Sequence, residues 1–99
     1  MRTFYTDYVR HALRFYSRNC IIKPQFKTEA DKRNWVSCDM VLNKLPADLK
    51  EMLVEIYGGH DTLADEVYNS STKRKISQNK VWDLMKVTEQ KIASKRGLI

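Results

Sequence analysis

The stretch from residue 76 to residue 98 carries the most regular apolar pattern in the chain, and it constrains the fold more than any other feature. Its apolar and small positions recur at steps of three and four residues, at Val81, Leu84, Met85, Thr88 and Ile92. This spacing places side chains on one face of an α-helix, whereas a half-buried strand would alternate every second residue. Ser77 is a candidate N-cap before this stripe, and Gly97 is a candidate stop after it. The pattern predicts a long amphipathic helix that packs on a core.

Four earlier segments show the same helical spacing. They are predicted to begin near Thr3, Thr28, Pro46 and Asp61, with the first helix ending near Arg18 and the fourth lasting about two turns. Only three glycines and two prolines interrupt the 99 residues. We therefore predict an all-α fold of four to five helices with a long basic last helix. Residues 28–99 would form the helical body, and residues 1–27 would add an aromatic helix and a connector.

The first predicted helix carries two adjacent apolar faces instead of one. One face is Tyr5, Val9, Ala12, Leu13 and Tyr16; the other is Phe4, Tyr8, His11 and Phe15. Such a wide stripe exceeds what one side of a surface helix needs. Two interpretations follow: the helix is covered on both flanks by its own chain, or its second face meets another copy in a homodimer.

The basic residues are concentrated at one end of the chain. The formal net charge is +6, yet residues 61–72 carry three acidic residues and no basic one. Residues 73–99 carry eight basic residues against Asp83 and Glu89. A basic stripe at one end is typical of proteins that bind a phosphate backbone, although such clusters also serve solubility alone.

The sequence contains no constellation that points to catalysis. His11, His60, Cys20 and Cys38 are scattered, whereas structural zinc sites use closely spaced ligand pairs. Phosphate-binding, nucleophile-elbow and zinc-protease motifs are absent. We therefore expect neither an enzyme nor a bound metal or cofactor. Two cysteines make no disulfide framework, and no apolar run is long enough to span a bilayer, so we expect reduced thiols in a cytoplasmic protein.

Four segments in the second half of the chain resemble a known family. They are residues 49–57 (LKEMLVEIY), 61–68 (DTLADEVY), 76–81 (ISQNKV) and 89–93 (EQKIA). Together they resemble the fourth-region DNA-binding helices of bacterial sigma factors. They are also similar to sigma-like late-gene regulators, of the RinA and ArpU type, in phages of Gram-positive bacteria. The resemblance covers residues 39–98 and implies a helix-turn-helix within residues 61–96.

The resemblance implies a phage-derived transcription regulator that binds duplex DNA, with RNA polymerase as a further partner. It implies that Ser77, Gln78, Asn79 and Lys80 lie at the major groove, with Trp82 and Lys86 near the DNA backbone. Asn and Gln suit bidentate contact with adenine, while Lys suits guanine or phosphate. The adjacent basic residues Lys73, Arg74 and Lys75 complete the predicted DNA-binding set.

Several alternatives remain open from the residues alone. A helix-turn-helix joins its helices by three or four residues, but the polar segment 69–75 is longer and lacks Gly. Either the preceding helix extends into this segment, or an insertion there contacts DNA. Trp82 fits either the edge of the core or a DNA contact. The whole chain also fits a helical protein–protein interaction module without nucleic-acid binding, or a phage packaging subunit that forms rings.

Overall fold

The computed structural model describes residues 4–22 and 24–99, and all the regular structure in them is helical. The helices are α1 (Thr6–Arg18), α2 (Glu29–Leu42), α3 (Ala47–Gly58), α4 (Leu63–Arg74) and α5 (Gln78–Lys95). The predicted all-α fold is therefore confirmed, with five helices. The predicted helix start at Thr3 lies outside the described residues, within which α1 begins at Thr6.

Three helices begin at hydroxyl caps, each at or next to a residue where the sequence predicts a helix start. In each, a side-chain oxygen accepts a hydrogen bond from a free backbone N–H of the first turn. The pairs are Thr28 Oγ1 with Asp31 N–H at 3.1 Å, Thr62 Oγ1 with Asp65 N–H at 3.2 Å, and Ser77 Oγ with Asn79 N–H at 3.1 Å. Pro46 stands immediately before α3, where its missing N–H removes no helical hydrogen bond.

Two helices end in the same backbone arrangement, with one residue in the left-handed region. After α5 this residue is Gly97, with φ of 78°, and the N–H of Leu98 donates to the carbonyl of Ala93. After α4 it is Lys75, with φ of 57°, and the N–H of Ile76 donates to the carbonyl of Ser71. Glycine tolerates this conformation freely, whereas a lysine there is strained by its Cβ.

Helix α4 is longer than the two turns that the sequence predicts. Most of the polar segment 69–75, expected to be a turn or frayed end, is helical as far as Arg74. The buried side of this segment consists of Ser70 and Ser71, which continue the face begun by Val67. Apolar periodicity misses such a face because serine is small enough to pack closely yet counts as polar. Of the two alternatives for this segment, the extended helix is the one observed.

All five helices contribute to one core. Its buried apolar residues are Val9, Ala12, Leu13, Tyr16, Trp35, Cys38, Val41, Leu42, Met52, Leu53, Ile56, Tyr57, Val67, Val81, Met85, Ile92 and Ala93. Helix α1 packs against α2, α3 and α5, so it shares this core with the helices of residues 28–99. The Cα radius of gyration of 12.9 Å matches the value of about 13 Å for a compact domain of this length.

The second face of α1 is covered at some positions and open at others. Phe15 is half-buried, and the Tyr8 hydroxyl accepts a hydrogen bond from Asn34 Nδ2 of α2 at 3.0 Å. Phe4, just before the helix, is 82% exposed. The body of the protein therefore covers part of this face, and a homodimer through its open part stays a prediction.

The left-handed Lys75 gives a test of the α4–α5 turn. We expect Lys75→Gly to raise the free energy of unfolding by about 1 kcal/mol. Glycine removes the Cβ strain in the folded protein, and this gain exceeds the cost of the greater entropy that glycine gives the unfolded chain. The matched control is Lys86→Gly, an exposed position inside α5, which we expect to lower it by about 1 kcal/mol. Urea unfolding followed by circular dichroism measures both. Destabilisation by Lys75→Gly would contradict the left-handed turn.

Candidate nucleic-acid interface

Helices α4 and α5 are joined by a turn of normal helix-turn-helix length. Helix α4 ends at Arg74 and α5 begins at Gln78, which leaves only Lys75, Ile76 and Ser77 between them. The two helices pack against each other, and α4 also packs on α3. The long turn expected from the sequence is therefore replaced by a three-residue turn, within the usual range for this motif.

The first turn of α5 is polar and open to solvent. Gln78, Asn79 and Lys80 are exposed, and no other described residue bonds to their side chains. Lys75 and Lys86 are also exposed and unpaired within residues 4–22 and 24–99. Ser77 is exposed too, but its hydroxyl is occupied in capping α5. The arrangement presents amide and ammonium groups together with the positive end of the helix dipole.

Two of the predicted DNA-binding cations have a structural partner in α3. Lys73 Nζ lies 3.3 Å from Glu55 Oε1, and Arg74 Nη2 lies 2.9 Å from Glu55 Oε2. Burial alone would raise the pKa of Glu55, but the hydrogen bonds from Arg74 and Lys73 outweigh it and hold that pKa below its usual range. The ion pairs therefore stabilise the fold at neutral pH, and this contribution is lost as pH falls through the lowered pKa.

Two further residues share the exposed face of α5 and were not predicted as site residues. Asp83 and Val87 are both exposed, Val87 to 46%. Asp83 lies three or four residues from Asn79, Lys80 and Lys86, so helical geometry puts it at the centre of this face. The sequence could have revealed it, because Asp83 falls opposite the buried stripe through Val81, Met85 and Thr88.

A buried carboxylate links α5 to two other helices. Glu89 is only 4% exposed; its Oε2 accepts hydrogen bonds from Arg10 Nε of α1 at 2.9 Å and from the Tyr57 hydroxyl of α3 at 2.5 Å. Burial and the negative charge of Glu89 raise the pKa of Tyr57 well above its usual value, so the phenol remains a donor. The Arg10 guanidinium carbon also lies 5.9 Å from the centroid of the Trp82 ring. Trp82 is half-buried at the edge of the core.

The cysteines and histidines of the described residues belong to no metal-binding cluster. Burial, followed by the negative charge of Asp39, raises the pKa of Cys38 to about 12, so its reactive thiolate form is scarce at neutral pH. His11 and His60 are exposed. In the described part of the chain, no three His, Cys, Asp or Glu residues are grouped to hold a metal ion.

None of the helices in the described ranges combines the length and the apolar character needed to cross a bilayer. Comparison with protein families, with characterised proteins and with solved structures finds no match for this chain. Any functional conclusion therefore depends on the geometry of the chain itself and on the residues that carry the sigma-like resemblance.

The buried carboxylate gives a test of what orients α5. We expect Glu89→Ala to lower the free energy of unfolding by about 3 kcal/mol, because it leaves the Tyr57 hydroxyl and Arg10 without their acceptor. The matched control is Glu55→Ala, which also removes a carboxylate with two donors, but one that is 38% exposed in its side chain. The Glu55→Ala variant should lower the free energy of unfolding by at most about 1 kcal/mol. Equal losses in urea unfolding would contradict a special role for Glu89.

Proposed function

We propose that this protein binds duplex DNA through α4, the three-residue turn and α5. The observation that carries the proposal is the short turn followed by an exposed, unpaired polar first turn of α5. In a helix-turn-helix the second helix enters the major groove, and its N-terminal residues contact base edges. The net charge of +6 favours association with a polyanion.

The proposed role of each residue follows from which of its polar groups have no partner in the described part of the fold. Lys75 and Lys80 supply mobile positive charge for phosphates, which gives affinity without sequence preference. Gln78 and Asn79 each offer a paired donor and acceptor that match the major-groove edge of adenine. Ser77 contributes through its position at the start of α5, while its hydroxyl caps the helix. Lys73 and Arg74 stabilise α4 through Glu55, so their contribution to binding is smaller.

Asp83 gives this face a base contact that its basic residues cannot make, because it is a hydrogen-bond acceptor. A carboxylate in the major groove accepts a hydrogen bond from the N4 amino group of cytosine. The exposed Val87 lies one turn further along the same face and suits the methyl group of thymine. A carboxylate is repelled by phosphates, so its central position favours a base contact over a backbone contact.

The biological setting of the proposal is regulation of transcription. It is supported by the resemblance of residues 39–98 to sigma-like regulators, which also suggests RNA polymerase as a second partner and a phage origin. A helical protein–protein interaction module without DNA binding is the alternative. It is favoured by three strongly exposed apolar side chains that flank α1, Phe4 before it and Ile21 and Ile22 after it.

The salt dependence of DNA binding tests the proposed face. We expect the triple variant Lys75→Ala, Lys80→Ala, Lys86→Ala to flatten the log–log salt slope of binding to random-sequence duplex DNA by up to about 2.7, because each lost phosphate contact removes about 0.9. The measurement is fluorescence anisotropy across a salt series.

The control for this experiment removes the same charge elsewhere. Lys27, Lys32 and Arg33 are exposed at the start of α2 and just before it, so their triple alanine variant should leave the slope nearly unchanged. Equal flattening in both variants would mean that binding follows net charge alone. An absence of binding by the unaltered protein at low salt would favour the interaction module.

A selection experiment separates the recognition of particular bases from the overall affinity for DNA. With sites selected from a randomised duplex library, we expect Asp83→Ala to lose a preference for cytosine at one position, because the acceptor for its N4 amino group is gone. The salt slope should not become shallower, because no phosphate contact is lost. Asn79→Ala should relax a different position that prefers adenine. An unchanged selected site in both variants would exclude this face from base recognition.

A further inference from the structure

A groove lies between the C-terminal halves of α2 and α5. Its lining residues are Val41, Lys44, Leu45, Lys91, Ser94 and Lys95. Its volume is about 280 Å³, several times the share of about 30 Å³ that one water molecule occupies in the liquid. The half-buried Leu45 supplies aliphatic surface over the buried Val41, and three lysines surround it.

The three lysines are not used by the fold. Lys44, Lys91 and Lys95 are exposed, and no carboxylate pairs with them among residues 4–22 and 24–99. Aliphatic surface surrounded by unpaired cations suits an apolar side chain flanked by carboxylates. A phosphate backbone would satisfy the lysines but would leave the partly exposed Leu45 without an apolar contact. The groove therefore fits an acidic protein surface better than it fits DNA.

The outer face of α4 is such a surface. Tyr68 is 57% exposed, and Asp65 lies one helical turn before it on the same face. Asp61 precedes them in the exposed connector, and neither Asp61 nor Asp65 has a side-chain partner within the described part of the chain. Glu66 differs, because its Oε2 accepts the backbone N–H of Asp61 at 3.2 Å. Asp61, Asp65 and Tyr68 form what we term the acidic α4 face.

We propose that the protein associates with itself head to tail, with the acidic α4 face of one copy bound in the α2–α5 groove of the next. Tyr68 would contact Leu45 with its ring, and Asp61 and Asp65 would pair with the surrounding lysines. Tyrosine suits this role because it joins an apolar body to a polar tip. The two surfaces belong to different helices, so the contact is heterologous and builds an open chain or a closed ring.

The groove is separate from the first turn of α5, which is the proposed base-reading part of the DNA-binding face. Lys91 is eleven residues after Lys80 on α5, a distance of about 16 Å along the helix axis. The first turn of α5 therefore stays open when the groove is filled. One aromatic side chain and two or three ion pairs make a small interface, so we expect weak association that is visible at high protein concentration and low salt.

Charge reversal tests the proposal with the protein alone. The groove variant is Lys91→Glu, Lys95→Glu, and the face variant is Asp61→Lys, Asp65→Lys. Sedimentation velocity over a concentration series at low salt should show self-association of the unaltered protein that weakens with added salt. Each variant alone should raise the apparent Kd at least about tenfold, because like charges then oppose each other. An equimolar mixture of the two should regain association, because both possible contacts again join opposite charges.

Two controls make the result decisive. Lys80→Glu, Lys86→Glu changes the net charge as the groove variant does, but in the N-terminal half of α5, away from the groove, and should associate like the unaltered protein. Tyr68→Ser should weaken association while the charges remain, and circular dichroism checks that every variant is folded. A protein that stays monomeric at every concentration would overturn the proposal. So would association that neither charge variant alters, or a mixture that does not regain it.

Discussion

The buried carboxylate of Glu89 is the interaction on which the position of α5 depends. A charge that is 4% exposed is unfavourable unless hydrogen bonds replace its hydration. Here both replacements come from other helices, Arg10 of α1 and Tyr57 of α3. The requirement is geometric as well as energetic, because a rotation of α5 about its axis would carry the carboxylate away from both donors. Apolar contacts alone define such a rotation less sharply, since they are non-directional.

The orientation set by Glu89 determines what the rest of α5 presents to solvent. With Val81, Met85 and Ile92 buried on the same side, the opposite side must carry Asn79 and Asp83. Glu55 acts similarly at the other side of the turn, where it binds Lys73 and Arg74 and holds the end of α4. Part of the basic cluster is thus committed to the fold. The cations that stay free are fewer than the sequence suggests, and they lie in the turn and on α5.

The sequence predicted what depends on local interactions. Three hydroxyl caps, the Gly97 stop and the buried stripe of α5 all follow from residues within a turn or two of each other. It missed what depends on a distant partner. Ser70 and Ser71 extend α4 because other helices cover them, and no pattern within 69–75 reveals that cover. The burial of Glu89 and the use of Lys73 and Arg74 likewise require Tyr57, Arg10 and Glu55, which are remote in sequence. The location of the binding site along the chain stays a prediction, and the division between structural and free cations needed the fold.

The 18 residues of α5 divide into three parts that present different groups. Its first turn offers unpaired polar groups, its middle carries the buried Glu89, and its last turns offer unpaired lysines beside an aliphatic groove. Because the helix is rigid and its middle is fixed, the angle and distance between the two exposed ends are fixed as well. A surface bound at one end is therefore held in a defined relation to a surface bound at the other. If copies of the chain join through the groove, their α5 first turns repeat at a constant spacing. Binding to successive turns of one duplex would further require this spacing to match the repeat of about 34 Å between half-sites along DNA.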